Sequence, residues 1–86
     1  LDTALGLGGD GYLVVQISNR AAVAVRDLRI VVGEQTGSVF RERAAYRLDR
    51  DLAAGRSVQL KTDLGPMNAN TARRYAAVVR DARLVE

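Results

Sequence analysis

The chain has no cysteine, no histidine and no tryptophan, and only one proline, one methionine and one phenylalanine. Without cysteine there is no disulfide, and without cysteine or histidine the usual zinc ligand sets are missing. Without histidine, a nucleophile at Ser38, Ser57 or Thr62 has no imidazole base. No run of about 18 apolar residues exists, so no membrane insertion by this segment is expected. No signal-peptide pattern is visible, and the first residue is Leu1, so an excised piece of a longer protein is expected, with any targeting signal upstream. The lack of cysteine is neutral as to compartment.

What is present is aliphatic and charged. Hydrophobic residues make up 48% of the 86 positions, led by Val, Ala and Leu. One domain fits this length, and a chain so short buries only about 60–65% of its unfolded surface, so its stability margin is thin. The net charge is +3, and Lys61 is the only lysine among 13 basic residues. Arginine- and alanine-rich usage is typical of proteins from GC-rich bacterial genomes. Asp27, Glu42, Asp49, Asp51 and Asp81 interleave with the arginines, which reads as a solvated mixed-charge surface. A nucleic-acid binder would cluster its charge and add exposed aromatics or a known motif.

The most informative stretch is Tyr12 to Val32, two β-rich runs around Ser18-Asn19-Arg20. Residues 1–11 are glycine-rich and read as a linker or N-terminal extension, with Leu5 and Leu7 docking; residues 12–86 form the domain. Strand one is Tyr12 to Ser18, with Leu13, Val15 and Ile17 on one face. Asn19 to Ala22 is the turn, with Asn19 suited to the left-handed conformation. Strand two runs from about Ala22 to Val32. Val23 and Val25 fall out of phase with Leu28, Ile30 and Val32, and a β-bulge at Arg26-Asp27 would bring both sets to the core. Gly33 to Gly37 reads as a loop, and Ser57 to Leu64 as a strand with Val58 and Leu60 inward.

Two segments fit both periodicities. Between Ser38 and Leu52, strand spacing puts Phe40, Ala44, Tyr46 and Leu48 on one face, with Glu42 as the exception. Helix spacing lines up Phe40, Ala44, Leu48 and Leu52, with Gly55 as C-cap. Between Thr71 and Glu86, a helix would gather Tyr75, Val78, Val79, Ala82 and Val85 behind an Asn70 or Thr71 cap. A strand would gather Tyr75, Ala77 and Val79, then Ala82 and Leu84 beyond a bulge near Arg80-Asp81. On the residues alone the helix is the slightly better pattern in this last segment.

Four pieces carry a resemblance: Val15-Gln16-Ile17-Ser18-Asn19, Val25 through Val32, Leu52-Ala53-Ala54-Gly55-Arg56-Ser57-Val58, and Val78 through Leu84. In this order they resemble small bacterial immunoglobulin-like or fibronectin-like sandwich domains, FxLYD-type domains among them, over residues 12–86. The FxLYD signature itself is absent. The resemblance implies strands in both ambiguous segments, and so an all-β, immunoglobulin-like antiparallel β-sandwich. The alternative is an α+β domain with a three-stranded sheet and two helices. It also implies that Leu52 packs under a turn while Gly55 lets the chain reverse.

The function so implied is a non-catalytic accessory or interaction domain of a larger bacterial, envelope-associated protein, periplasmic or in the cell envelope. Its partner would be another protein or neighbouring domains of the same chain, with no cofactor, no metal and no specific nucleic acid. Two alternatives stand beside it: a module that binds anionic surfaces or nucleic acid through arginines, and a regulatory domain attached to an upstream enzyme. Arg73, Arg74, Arg80 and Arg83 are the candidate partner contacts, as a basic strip in which Arg74 and Arg80 would stand side by side. Gly6 to Gly11 lacks the helix that a dinucleotide fingerprint requires after it, because a strand follows. Asp49-Arg50-Asp51 lacks the glycine and terminal glutamate of a calcium loop. Tyr12, Tyr46 and Tyr75 are read as core-edge residues with solvated hydroxyls.

Overall fold

The structure, a computed structural model, describes residues 1–85. It contains six strands and one helical turn: β1 Asp2–Leu7, β2 Leu13–Ser18, β3 Val25–Thr36, β4 Val39–Arg47, β5 Ser57–Lys61, α1 Ala69–Ala72 and β6 Tyr75–Leu84. They form two antiparallel three-stranded sheets, ordered β1-β2-β5 and β4-β3-β6. Strand accounts for 58% of the chain and helix for 5%, so the α+β alternative falls. Both ambiguous segments are strands. Isolated amphipathic helices of this length are marginal, whereas β3 offers each segment a full ladder of hydrogen bonds.

The expected linker is largely not one. Asp2–Leu7 pairs with β2 along its whole length, from Asp2 opposite Ser18 to Leu7 opposite Leu13. Thr3, Leu5 and Leu7 alternate inward as a half-buried strand should. Gly8 to Gly11 is the connecting turn, closed by hydrogen bonds from Gly8 N to Tyr12 O and from Gly11 N to Gly8 O. The glycines masked the strand because Leu5 and Leu7 are its only strong apolar signals.

Both sheets contribute to one core. Leu13, Val15 and Ile17 from β2 meet Val25, Leu28, Ile30 and Val32 from β3, with Leu52 sealing one end. The expected bulge is present: the β3–β6 register shifts between Arg26 and Arg29, and Asp27 sits at φ 52. Asp is one of the few residues that tolerate this left-handed conformation. The bulge puts Val25 and Leu28 on the same side, and both are buried. A second shift follows at once, because Arg29 faces Asp81 while Ile30 faces Val79, which leaves Arg80 as the extra residue on β6. The two bulges cancel, so the pairing register is the same on either side of them.

Several faces differ from expectation. Val23 precedes β3 and is 38% exposed. β3 does not stop at Gly33 but continues to Thr36, because β4 pairs with it as far as Thr36 and β6 as far as Glu34. A bulge in β4, where Val32 faces Ala44 but Gly33 faces Glu42, leaves Arg43 unmatched. It flips the alternation, so Phe40 falls on the outer face, over Gly33, and not beside Ala44 and Tyr46. Gly33 is required there: a Cβ would collide with the Arg41 carbonyl and approach Phe40 Cζ to 2.9 Å. Ala82 and Leu84 are exposed, and Val58 and Leu60 are half-buried against the core.

Asn19 has a different role from the turn residue expected. It does not adopt positive φ; its side chain is buried and fully bonded. Nδ2 donates to Val23 O and Leu52 O, each at 3.0 Å, and Oδ1 accepts from Ala21 N at 2.9 Å. The Asn19 main chain bonds Arg56 O and Gly55 N. Leu52 in turn exchanges two hydrogen bonds with Val25. Gly55, at φ 71, makes the reversal, and Leu52 lies buried beneath it as the motif implied.

Replacing Asn19 with Ala removes three side-chain hydrogen bonds from this plug; Leu52 O keeps its bond from Val25 N, and the loss should cost about 1–3 kcal/mol in all. Chemical denaturation will show a midpoint well below that of the parent. Ile30→Ala should cost about 2–5 kcal/mol through lost burial and a residual cavity. A melting temperature within a few degrees of the parent would contradict the placement of Ile30 in the shared core.

Candidate functional site

Polar chemistry lies at the outer faces and rims of both sheets. Five ion pairs join exposed or partly exposed side chains among the described residues: Arg20–Asp2, Arg29–Asp81, Arg43–Glu34, Arg47–Asp27 and Lys61–Asp10. Two of them, Arg29–Asp81 at 3.4 Å and Arg47–Asp27 at 3.5 Å, border an open polar depression at the β3 bulge. Ala82 and Arg83 complete its rim. Here Arg29 stands directly opposite Arg47 on β4, and Arg26 directly opposite Arg83 on β6. Like charges so placed repel, and Asp27 and Asp81 relieve part of that repulsion.

The four arginines expected to form one strip are spread out. Arg73 caps the C-terminus of α1, Arg74 precedes β6, Arg80 is the β6 bulge residue and Arg83 borders the depression. All four are exposed. At about 3.3 Å per residue, Arg74 and Arg83 stand roughly 30 Å apart along the strand, so Arg74 and Arg80 are not neighbours either. None of the four takes part in an ion pair among the described residues.

The second polar group lies at the other end of β3. Glu34 points to the inner rim, where Oε1 accepts from Arg43 Nη2 at 2.6 Å and Nε at 3.1 Å, and from the Tyr75 hydroxyl at 3.4 Å. The Arg43 guanidinium holds the Glu34 carboxyl below the usual range, and Glu34 in turn raises Arg43. Arg43 reaches inward because it is the unmatched residue of the β4 bulge, a consequence of pairing that periodicity does not show.

Tyr46 on β4 donates its hydroxyl to Asp63 Oδ1 at 2.6 Å, joining the second sheet to the segment that follows β5. Burial first, and then the hydrogen bond to Asp63, push the Tyr46 hydroxyl above its ordinary pKa. So Tyr46 and Tyr75, core-edge residues as expected, each bond a carboxylate through the hydroxyl. Tyr12 lies under Lys61, whose ammonium is 5.8 Å from the ring centroid and pairs with Asp10. Asp10 is held below the usual carboxylate range by that lysine.

The remaining candidates are engaged in structure. Ser57 Oγ pairs with Ser18 Oγ at 2.9 Å across β2 and β5. Thr62 is buried and donates to Leu13 O at 2.8 Å. Asp49 and Asp51 are exposed in the segment after β4, and no group of three or more metal-type ligands occurs among the described residues. No helix among them is long and apolar enough to cross a membrane. Comparison with known protein families, characterised proteins and solved structures finds no match for this chain.

Tyr46 gives a signed pH prediction. Its pKa is raised on folding, so the stability it supplies is complete below the unfolded tyrosine value of about 10 and is lost as pH climbs through the folded value. Tyr46→Phe should lower stability near pH 7 by about 1 kcal/mol, the usual net worth of a hydrogen bond. The difference between parent and variant should shrink above about pH 10, as read by denaturant midpoints across the alkaline range. A difference that stays constant with pH would contradict the Tyr46–Asp63 assignment.

Proposed function

We propose that this chain is an immunoglobulin-like β-sandwich serving as a non-catalytic accessory or interaction domain of a larger bacterial, envelope-associated protein. The strand order supports the fold reading. β1-β2-β5 and β4-β3-β6 have the order of strands A-B-E and C′-C-F in immunoglobulin-type domains. The observation that carries the function is where the chemistry lies. The largest apolar side chains of both sheets meet in one core, while the charged side chains, five ion pairs among them, lie at the surface and rims. Such a body acts by spacing its neighbours and by presenting a sheet edge, a face or loops to a protein partner or an adjoining domain.

A second reading is favoured by the facing arginine pairs, Arg26 with Arg83 and Arg29 with Arg47. Four guanidinium groups round two aspartates leave positive charge that an anionic surface could satisfy. One titration separates the readings: single- and double-stranded DNA and RNA at about 0.15 M salt, near physiological ionic strength. The interaction-module reading expects micromolar or weaker binding that vanishes as salt rises. Dissociation constants of about 10⁻⁷ M or tighter would exceed the usual non-specific range and establish the arginine-based reading instead.

A further inference from the structure

The sheet edges differ in how they are guarded. β4 carries Arg41, Glu42, Arg43 and Arg47 and a bulge, and the end of β6 carries Arg80, Asp81 and Arg83 and a bulge of its own, so the order of the charges decides which edge can pair. β5 is five residues long. β1 lies beside the first half of β6, where Thr3 Oγ1 donates to Ala77 O at 3.2 Å. β1 begins and β6 ends at the Asn19 end of the molecule, since Asp2 faces Ser18 and Leu84 faces Val25. The two strands therefore run antiparallel, and the described part of β1 reaches no further along β6 than about Val79. Arg80 to Leu84 lies past it. There Leu84 is 61% exposed although it stands on the core side of its strand, opposite buried Val25.

The backbone of this stretch is phased for pairing. Val85 N donates to Ala24 O at 2.8 Å, so the alternation of an antiparallel ladder turns the N–H and C=O of Leu84 and Ala82 away from β3, toward an edge that no strand among the described residues pairs. Its sequence, Arg80-Asp81-Ala82-Arg83-Leu84, is complementary to itself when reversed about Ala82. Asp81 then falls opposite the partner's Arg83, and Arg83 opposite the partner's Asp81, with small Ala82 at the two-fold axis. Centring on Arg83 would instead set arginine against arginine, which is unfavourable.

We propose that a second copy of this chain docks here, pairing Arg80–Leu84 antiparallel with itself, centred on Ala82. This rests on the interaction-module reading and names the partner of that module's edge. Opposite charges face each other twice, Ala82 exchanges two backbone hydrogen bonds with its counterpart, and the Leu84 side chains lose solvent exposure. Five residues a side bury well under the area of a standard interface, so the association is weak and reversible.

The test is a dilution series of the intact chain from about 1 mM, the weak limit of specific association, downward, followed by sedimentation velocity and amide chemical shifts. The expected result is a concentration-dependent dimer whose shifts centre on Ala82 and Leu84. Arg83→Asp alone and Asp81→Arg alone should each be monomeric, because like charges then face each other. An equimolar mixture of the two should associate, because both charge pairs are restored between unlike copies. A chain that stays monomeric at about 1 mM overturns the proposal. So does association that survives both substitutions, or shifts that map to β4 or β5. The unmodified chain carries the shift measurement by itself, so a variant that fails to fold leaves the test intact. None of these results touches the interaction-module reading, which the nucleic-acid titration decides separately.

Discussion

The Asn19 side chain is where the two sheets are made one body. It sits at the end of β2 in the first sheet and bonds the carbonyls of Val23, just before β3 of the second, and of Leu52, which itself pairs with Val25. Both amide hydrogens and the side-chain oxygen are used, so a buried polar group carries no desolvation debt. Everything above it depends on that anchor. Leu52 can close the core because its backbone is held, Gly55 can reverse the chain because its N–H reaches Asn19 O, and β5 starts in register because Asn19 N holds Arg56 O. In a domain this small, with no disulfide, a fully bonded asparagine does part of the stapling that larger cores achieve by area alone.

Bulges are the second constraint. β3 pairs on both sides, and each of its ladders must absorb an irregularity without losing the core face. Asp27 and Arg80 offset one another between β3 and β6, so Val25, Leu28, Ile30 and Val32 all point inward. The Arg43 bulge between β3 and β4 has no such partner. It sends Phe40 outward over Gly33 and swings Arg43 to the inner rim, where it meets Glu34. Local twist at bulges thus decides which charges meet, and with them where the polar surface lies.

The polar surface has two characters. Around the Asp27 bulge the ion pairs are long and exposed, facing arginines outnumber the aspartates, and the arrangement is held only loosely. Around Glu34 and Tyr46 the contacts are short, and they tie strands and sheets together. The first is a surface that a partner can rearrange at small cost. The second belongs to the scaffold.

Much of this was legible in the residues. Strict alternation in Leu13-Val15-Ile17 fixed β2, and the phase break between Val25 and Leu28 located the β3 bulge, because only an extra residue can put both on one face. The composition excluded disulfides and histidine- or cysteine-based zinc sites outright. The strands at Val39–Arg47 and Tyr75–Leu84 were not decided by their own pattern, since short Ala- and Arg-rich runs satisfy period 2 and period 3.6 alike. Hydrogen bonding to β3 decided them. Asn19 was visible as a turn residue, but its three side-chain bonds join positions up to 33 apart, which no local signal records. β1 was hidden for the same reason: a glycine-rich segment becomes a strand when β2 supplies its partner. The sequence by itself determined the inward face of β2 and the break of alternation in β3. The tertiary structure alone decided which strands lie side by side and which charges meet, because pairing between distant segments is a property of the assembled sheets.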